Sequence, residues 1–277
     1  MATFVGMDLN GYSRAVHVAT YDSTKKTNPI TVYKVGKKVG GYDDRELDEA
    51  DDKVIEAIQC AKVLAIDAPL GYPKEYIYLM ADLPSLYTGR GNHIRRYDDL
   101  DGEIFWRKTE NYIAQELHVK PLSVAAGNIA FVALRAMRLI LRLKQKARNL
   151  CVVPFNDMKT PNQSIIEVYP AATLAYRGMR GPYKSKKHHA ALERNYRYVK
   201  NEFFPNNEIL LRDFDNDDDA TDRLPLTLLN LTDDILDALI CLYLAKEYAE
   251  ENHGHVRAAM AGTTPNRIHR TEGLIYY

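Results

Sequence analysis

The 277-residue chain is poor in cysteine, has a single tryptophan and carries no excess charge of either sign. Its three cysteines, Cys60, Cys151 and Cys241, are odd in number, far apart and set among apolar neighbours. That argues against a disulfide framework or a zinc site and suits reduced, buried thiols in the cytoplasm. Lys and Arg total 37 and Asp and Glu total 37, so no global basic field draws the protein onto nucleic acid or an anionic membrane. Any phosphate-binding surface has to be local. A long uncharged apolar run is also missing: the stretch 129–143 carries Arg135, Arg138 and Arg142, which a bilayer core would not tolerate. With no leader-like N-terminus, a soluble, cytoplasmic protein that makes no use of a membrane is expected. Gly-x-Gly-x-x-Gly, Walker A, Gly-x-Ser-x-Gly and His-Glu-x-x-His patterns are absent.

What is present is a chain that is 46% hydrophobic and 27% charged, enough to bury a substantial core. Thr3 to Asp8 is a short apolar run ending at the turn-like Leu9-Asn10-Gly11, and Arg14 to Tyr21 alternates polar and apolar residues, so the two read as a hairpin. Ile30 to Val35 is a third strand, Leu47 to Ala61 has helical spacing, and Lys62 to Asp67 is a fourth strand ended by Ala68-Pro69-Leu70-Gly71. A helical insert follows at about 74–160, with a long helix near Val124 to Ala147, before Ser164 to Pro170 returns to strand. A short helix, a basic helix over Lys186 to Glu202, an acidic loop and a strong helix over Thr232 to Glu251 complete the chain. The expected fold is α/β, one domain over 1–277, with antiparallel first strands and parallel later ones flanked by helices. That is the RNase H-like arrangement, a mixed five-stranded sheet in the order 3-2-1-4-5.

Asp8 ends the first strand and Asp67 the fourth; if these strands are parallel neighbours, both carboxylates emerge at one sheet edge. Each is also an ordinary turn cap, and that reading stays open. In the helix beginning at Thr232, Asp233 and Asp234 complement the helix dipole, but Asp237 falls where residues 235–245 are apolar almost all round. A buried carboxylate wants a partner or a metal. Asp234 and Asp237, three residues apart, share a helix face. Carboxylates from two strand ends and one helix are what a two-metal phosphodiesterase needs, since Mg²⁺ or Mn²⁺ prefers oxygen ligands. Glu167, on a strand expected to be interior, is either a further catalytic carboxylate or the partner of a structural arginine.

Asp8 after an apolar strand, Ile66-Asp67-Ala68-Pro69-Leu70-Gly71, Arg95-Arg96-Tyr97-Asp98, Glu167-Val168-Tyr169-Pro170, Asp234-Ile-Leu-Asp237-Ala238 and the terminal Glu272-Gly273 together resemble the family of predicted RNase H-like nucleases designated domain of unknown function 429. The match spans nearly the whole chain in order. The Asp-x-x-Asp-Ala helix is also similar to the last acidic helix of Holliday-junction resolvases. The resemblance implies metal roles for Asp8, Asp67, Asp234 and Asp237, with Asp8 bridging two ions. Tyr97 departs from the family, which more often has a small residue there.

A nuclease must hold phosphates, and Arg95, Arg96 and Asp98 in one loop, Lys184 and Lys186 in another, are the candidate substrate-binding residues. The helix face of Arg135, Arg138 and Arg142 is a further basic surface; for each patch a solvated face is the competing reading. Asp213-x-Asp215-x-Asp217 opens like a calcium loop but lacks its sixth-position glycine and twelfth-position glutamate. The expected activity is a metal-dependent nuclease acting on DNA or RNA, with a homo-oligomer left open. Two alternatives stand beside it: a non-catalytic binding module of the same fold, and an ATP-dependent phosphotransferase of actin-like sheet order, for which the Gly-rich phosphate turns are lacking.

Overall fold

Thr3 to Asp8 is apolar at most of its positions and buried along its length, the pattern of a strand covered on both faces. The computed structural model places it as β1 (Thr3–Asp8), in the middle of a nine-stranded mixed sheet. The described residues are 3–10, 16–24, 29–36, 44–88, 104–125, 127–147, 149–156, 161–179, 189–213, 224–250, 258–259 and 272–277. Among them are β2 (Val16–Asp22), β3 (Ile30–Val35), β4 (Ala61–Asp67), β5 (Leu150–Val152), β6 (Gln163–Val168), β7 (Ile209–Asp213), β8 (Leu224–Pro225) and β9 (Ile275–Tyr276). The helices are α1 (Asp44–Ile58), α2 (Lys74–Thr88), α3 (Lys108–Leu117), α4 (Gly127–Lys146), α5 (Pro170–Tyr176), α6 (His189–Tyr198) and α7 (Asp233–Ala249).

The strand order is β5-β6-β4-β1-β2-β3-β7-β8, with β9 also pairing β6. This corrects the expected five-stranded sheet. The expected fifth strand is β6, and β5, β7, β8 and β9 add four short strands at or beyond the ends of that core. They span only two to five residues, too few for a period of two to show in the sequence. The insert is likewise not wholly helical: it contains α2, α3 and α4 but closes with β5, which runs parallel to β6. The basic helix is shorter than expected, because α6 passes into a π-helical turn at Val199–Phe203. Cys151 and Cys241 are buried as expected, whereas Cys60 is exposed at the end of α1. No helix among the described residues is long and apolar enough to cross a membrane.

Two apolar layers sandwich the sheet. On one face Phe4, Ala19, Val63, Ala65 and Ile166 pack against α7; on the other Val5, Met7, Val18, Leu64, Ile66 and Ile165 pack against α1 and α4. Helix α7 is buried on nearly every side from Ile235 to Ala245, and each large apolar side chain so enclosed contributes about 1.5–3 kcal/mol. Its start is set by Thr232, whose hydroxyl accepts a hydrogen bond from the Ile235 amide at 3.2 Å. Near its far end the Tyr243 ring stacks on Phe203 with centroids 3.9 Å apart, and its hydroxyl accepts from Arg177 at 2.8 Å. Burial pushes the Tyr243 phenol up to about 12, with Glu247 adding to the rise and Arg177 opposing it.

Candidate metal centre

Strand register assembles the site. Asp8 lies opposite Asp67 in the parallel β1–β4 pair and opposite His17 in the antiparallel β1–β2 pair. Side chains alternate along a strand, so Asp8 shares the face of Phe4, His17 that of Ala19, and Asp67 that of Ala65, all against α7. Asp67, Asp8 and His17 therefore form a row across three adjacent strand ends. Helix α7 adds Asp234 and Asp237 from its first turns. One ligand atom from each of Asp8, Asp67 and Asp237 lies within 4.8 Å of the others, and the same holds for Asp8, His17 and Asp234. The four candidate aspartates thus fall in two triads that share Asp8. Asn10 orients that shared group, its amide donating to Asp8 Oδ2 at 3.3 Å.

A glycine lets the helix come this close. At Gly6, two residues before Asp8 on the same face, a Cβ would overlap the backbone nitrogen of Leu242 and the carbonyl oxygen of Ala238. With no side chain there, α7 rests directly on β1, and Asp237, with 0% of its surface exposed, is carried to the end of the strand. The Gly in an otherwise apolar strand is the signal of this close approach.

Glu167 lines the same cleft edge as Asp8 and Asp67 but is held differently. It pairs in register with Ile66, one residue before Asp67, so alternation turns it to the opposite face from the aspartates. Arg107 donates to both of its oxygens, at 2.8 and 2.6 Å, and the Leu70 amide donates to one of them at 2.9 Å. The same guanidinium reaches Glu110 at 2.9 Å and the Glu272 carbonyl at 3.1 Å, while the Glu272 carboxylate accepts from the amides of Lys108 and Lys74 at 2.8 and 3.2 Å. Burial works against the Arg107 charge, but Glu167 and Glu110 outweigh it and hold the guanidinium protonated well above its ordinary range. This knot ties the loop after β4 to α2, α3 and the last strand. Gly71 serves it as Gly6 serves α7, because a Cβ there would overlap the Glu272 carbonyl. Glu167 is thus the partner of a buried arginine, and both of its oxygens are occupied.

The arginine face of α4 is also structural. Arg135, 2% exposed, donates to Asp51 at 3.0 Å and to the Asn10 carbonyl at 2.8 Å; Arg138 pairs with Asp48 and Asp51, and Arg142 with Asp52. These pairs clamp α4 to α1 and set each arginine charge against an aspartate. The candidate substrate residues Arg95, Arg96, Asp98, Lys184 and Lys186 lie outside the described residues.

At the aspartate edge opens a cleft of about 270 Å³, lined by Asp8, Asn10 and Asp67, by the Arg107, Glu110 and Glu167 group, and by Leu122, Ile129 and Val132. Carboxylates that converge on one edge beside an open cleft suit binding of a divalent cation and of an anionic substrate through it. Sequence reasoning missed His17 and Arg107. His17 is placed by the hairpin register alone, and Arg107 sits in the irregular Phe105-Trp106-Arg107 segment, where no periodicity marks it. Burial lowers the His17 pKa, against the upward pull of Asp234, and so favours the neutral imidazole.

A family model described as Protein of unknown function (DUF429) matches residues 6–261. Neither the curated proteins nor the solved structures contain a match to the chain.

Proposed function

The chain belongs to the DUF429 family, and from its carboxylate edge we propose that it is a divalent-metal-dependent nuclease of RNase H-like fold. The observation that carries this reading is the convergence of Asp8, Asp67, Asp234 and Asp237, from two parallel strand ends and one buried helix, beside a cleft. The run β3-β2-β1-β4-β6 within the larger sheet supports the RNase H-like part of it.

The donor set is oxygen-rich and spaced for hard cations such as Mg²⁺ or Mn²⁺, so the residues present fit the group. Asp8, shared by both triads, would bridge two ions, Asp67 and Asp237 would hold one and Asp234 the other. Bound there, such ions supply a water ionised near neutral pH and positive charge for the leaving oxygen of a phosphodiester. The chain's own residues do the positioning. Asn10 holds the Asp8 carboxylate, Gly6 sets the depth of Asp237, and the Arg107 knot fixes the loop that follows Asp67. Leu122, Ile129 and Val132 give the cleft an apolar lining for a sugar or base.

The test is cleavage of labelled single-stranded, duplex, hybrid and four-way-junction substrates with Mg²⁺, Mn²⁺ or EDTA. Metal-dependent cutting by the wild type, lost in Asp8→Asn and Asp237→Asn, supports the reading and names DNA or RNA as substrate. A folded, metal-binding protein that cuts nothing on the panel overturns it in favour of a binding module.

A further inference from the structure

The second triad is not all oxygen. His17 is 8% exposed, and its Nδ1 is buried and makes no hydrogen bond. Asp234 Oδ2 stands 3.9 Å from it, too far for a hydrogen bond. A buried ring nitrogen left in that state is costly and calls for a partner. Two ligands of one ion with bonds of about 2.1 Å stand roughly 3 to 4.2 Å apart, according to whether they are adjacent or opposite. The His17 to Asp234 separation falls inside that interval, and Asp8, His17 and Asp234 each offer a ligand atom within 4.8 Å of the other two.

We propose that His17 is a metal ligand, holding a second divalent ion together with Asp8 and Asp234, while the first is held by Asp8, Asp67 and Asp237. The inference rests on the metal-dependent reading above and sharpens it. The two positions are chemically unequal: three carboxylates suit Mg²⁺, whereas an imidazole with two carboxylates prefers a borderline transition ion such as Mn²⁺. The protein is therefore a mixed-preference centre, filled at both positions by Mn²⁺ and at the all-carboxylate position first by Mg²⁺. Its strand supplies the chemistry, because the antiparallel register of β2 on β1 sets His17 beside Asp8.

The experiment is calorimetric titration of the full-length protein with MnCl₂ and with MgCl₂, joined to electron paramagnetic resonance at saturating Mn²⁺. His17→Ala is studied beside His17→Gln, which keeps most of the side-chain volume, and circular dichroism establishes that each variant is folded. Wild type should bind two Mn²⁺ ions with an exchange-coupled spectrum, and its second Mg²⁺ should bind at least about tenfold more weakly than its second Mn²⁺. Both His17 variants should keep one uncoupled Mn²⁺, and Asp67→Asn should weaken the other position instead. Two coupled Mn²⁺ ions in a folded His17 variant, or none in the wild type, would overturn the proposal. Cleavage measured on the same preparations separates the two claims. Two ions without cutting retire the nuclease and leave the His17 site, whereas cutting by a His17 variant that still binds two retires the site and leaves the nuclease.

Discussion

The α-carbon of Gly6 lies against the backbone nitrogen of Leu242, with no room between them for a methyl group. Strand and helix meet there backbone to backbone, and everything that α7 carries to the edge of the sheet depends on that contact. Gly6→Ala should therefore lower the unfolding free energy by about 3 kcal/mol or more, as overpacking of a closed interface does. It should also weaken metal binding, because Asp237 moves outward with the helix. Denaturant unfolding and a metal titration on the surviving folded fraction check both.

Asp237 crowds Asp8 and Asp67, with ligand atoms of all three within 4.8 Å. Like charges at that distance repel in the absence of a cation. Asp237→Asn should keep the fold, raise the melting temperature of the metal-free protein and abolish the further rise that Mn²⁺ brings to the wild type. Differential scanning calorimetry with and without Mn²⁺ reads both effects. A variant that fails to fold would make Asp237 a structural carboxylate.

Glu167 is committed to Arg107, and although both line the cleft the two should behave as a buried ion pair and not as metal ligands. Arg107→Met, which strands Glu167 and Glu110 without their cation, should lose about 3–5 kcal/mol of stability. Glu167→Gln should also destabilise, yet leave the affinity for Mn²⁺ unchanged within about threefold, since its oxygens face Arg107 rather than the aspartates. A large loss of metal affinity in a folded Glu167→Gln protein would make Glu167 a metal ligand instead.

Tyr243 links stability to alkaline pH. Burial, the largest cause, lifts its phenol from 10.0 to about 12, so the folded state holds this proton to higher pH than the unfolded chain. The stabilisation is fully present below pH 10 and is lost as pH rises from there towards about 12. Tyr243→Phe removes the titrating group. The unfolding midpoint of the wild type should therefore fall more steeply than that of the variant across this range, measured by urea titration at stepped pH.

Much of this was legible in the residues themselves. The longer periodic segments, β1 to β4, β6, α1, α4, α5 and α7, are signalled by apolar runs and helical spacing. Asp237 is marked by being a charge on an all-apolar helix. Partner registers are what a single sequence does not carry. Glu167 and Asp67 both read as charges near the ends of neighbouring strands, and a one-residue offset between β4 and β6 turns one to α7 and the other to Arg107. His17 is a histidine between two valines until the hairpin register sets it opposite Asp8. The arginines of α4 look like a phosphate surface until α1 brings Asp48, Asp51 and Asp52 against them.

The most direct single measurement is the rate at which wild type and Asp8→Asn cleave one labelled substrate in Mn²⁺, with EDTA as the blank. Asp8 stands in both triads, so one substitution removes the shared ligand. The account predicts cutting by the wild type that EDTA stops and a loss of about a thousandfold or more in the variant, the scale of a lost charge-stabilising group. Cleavage that survives either EDTA or Asp8→Asn at full rate would contradict it.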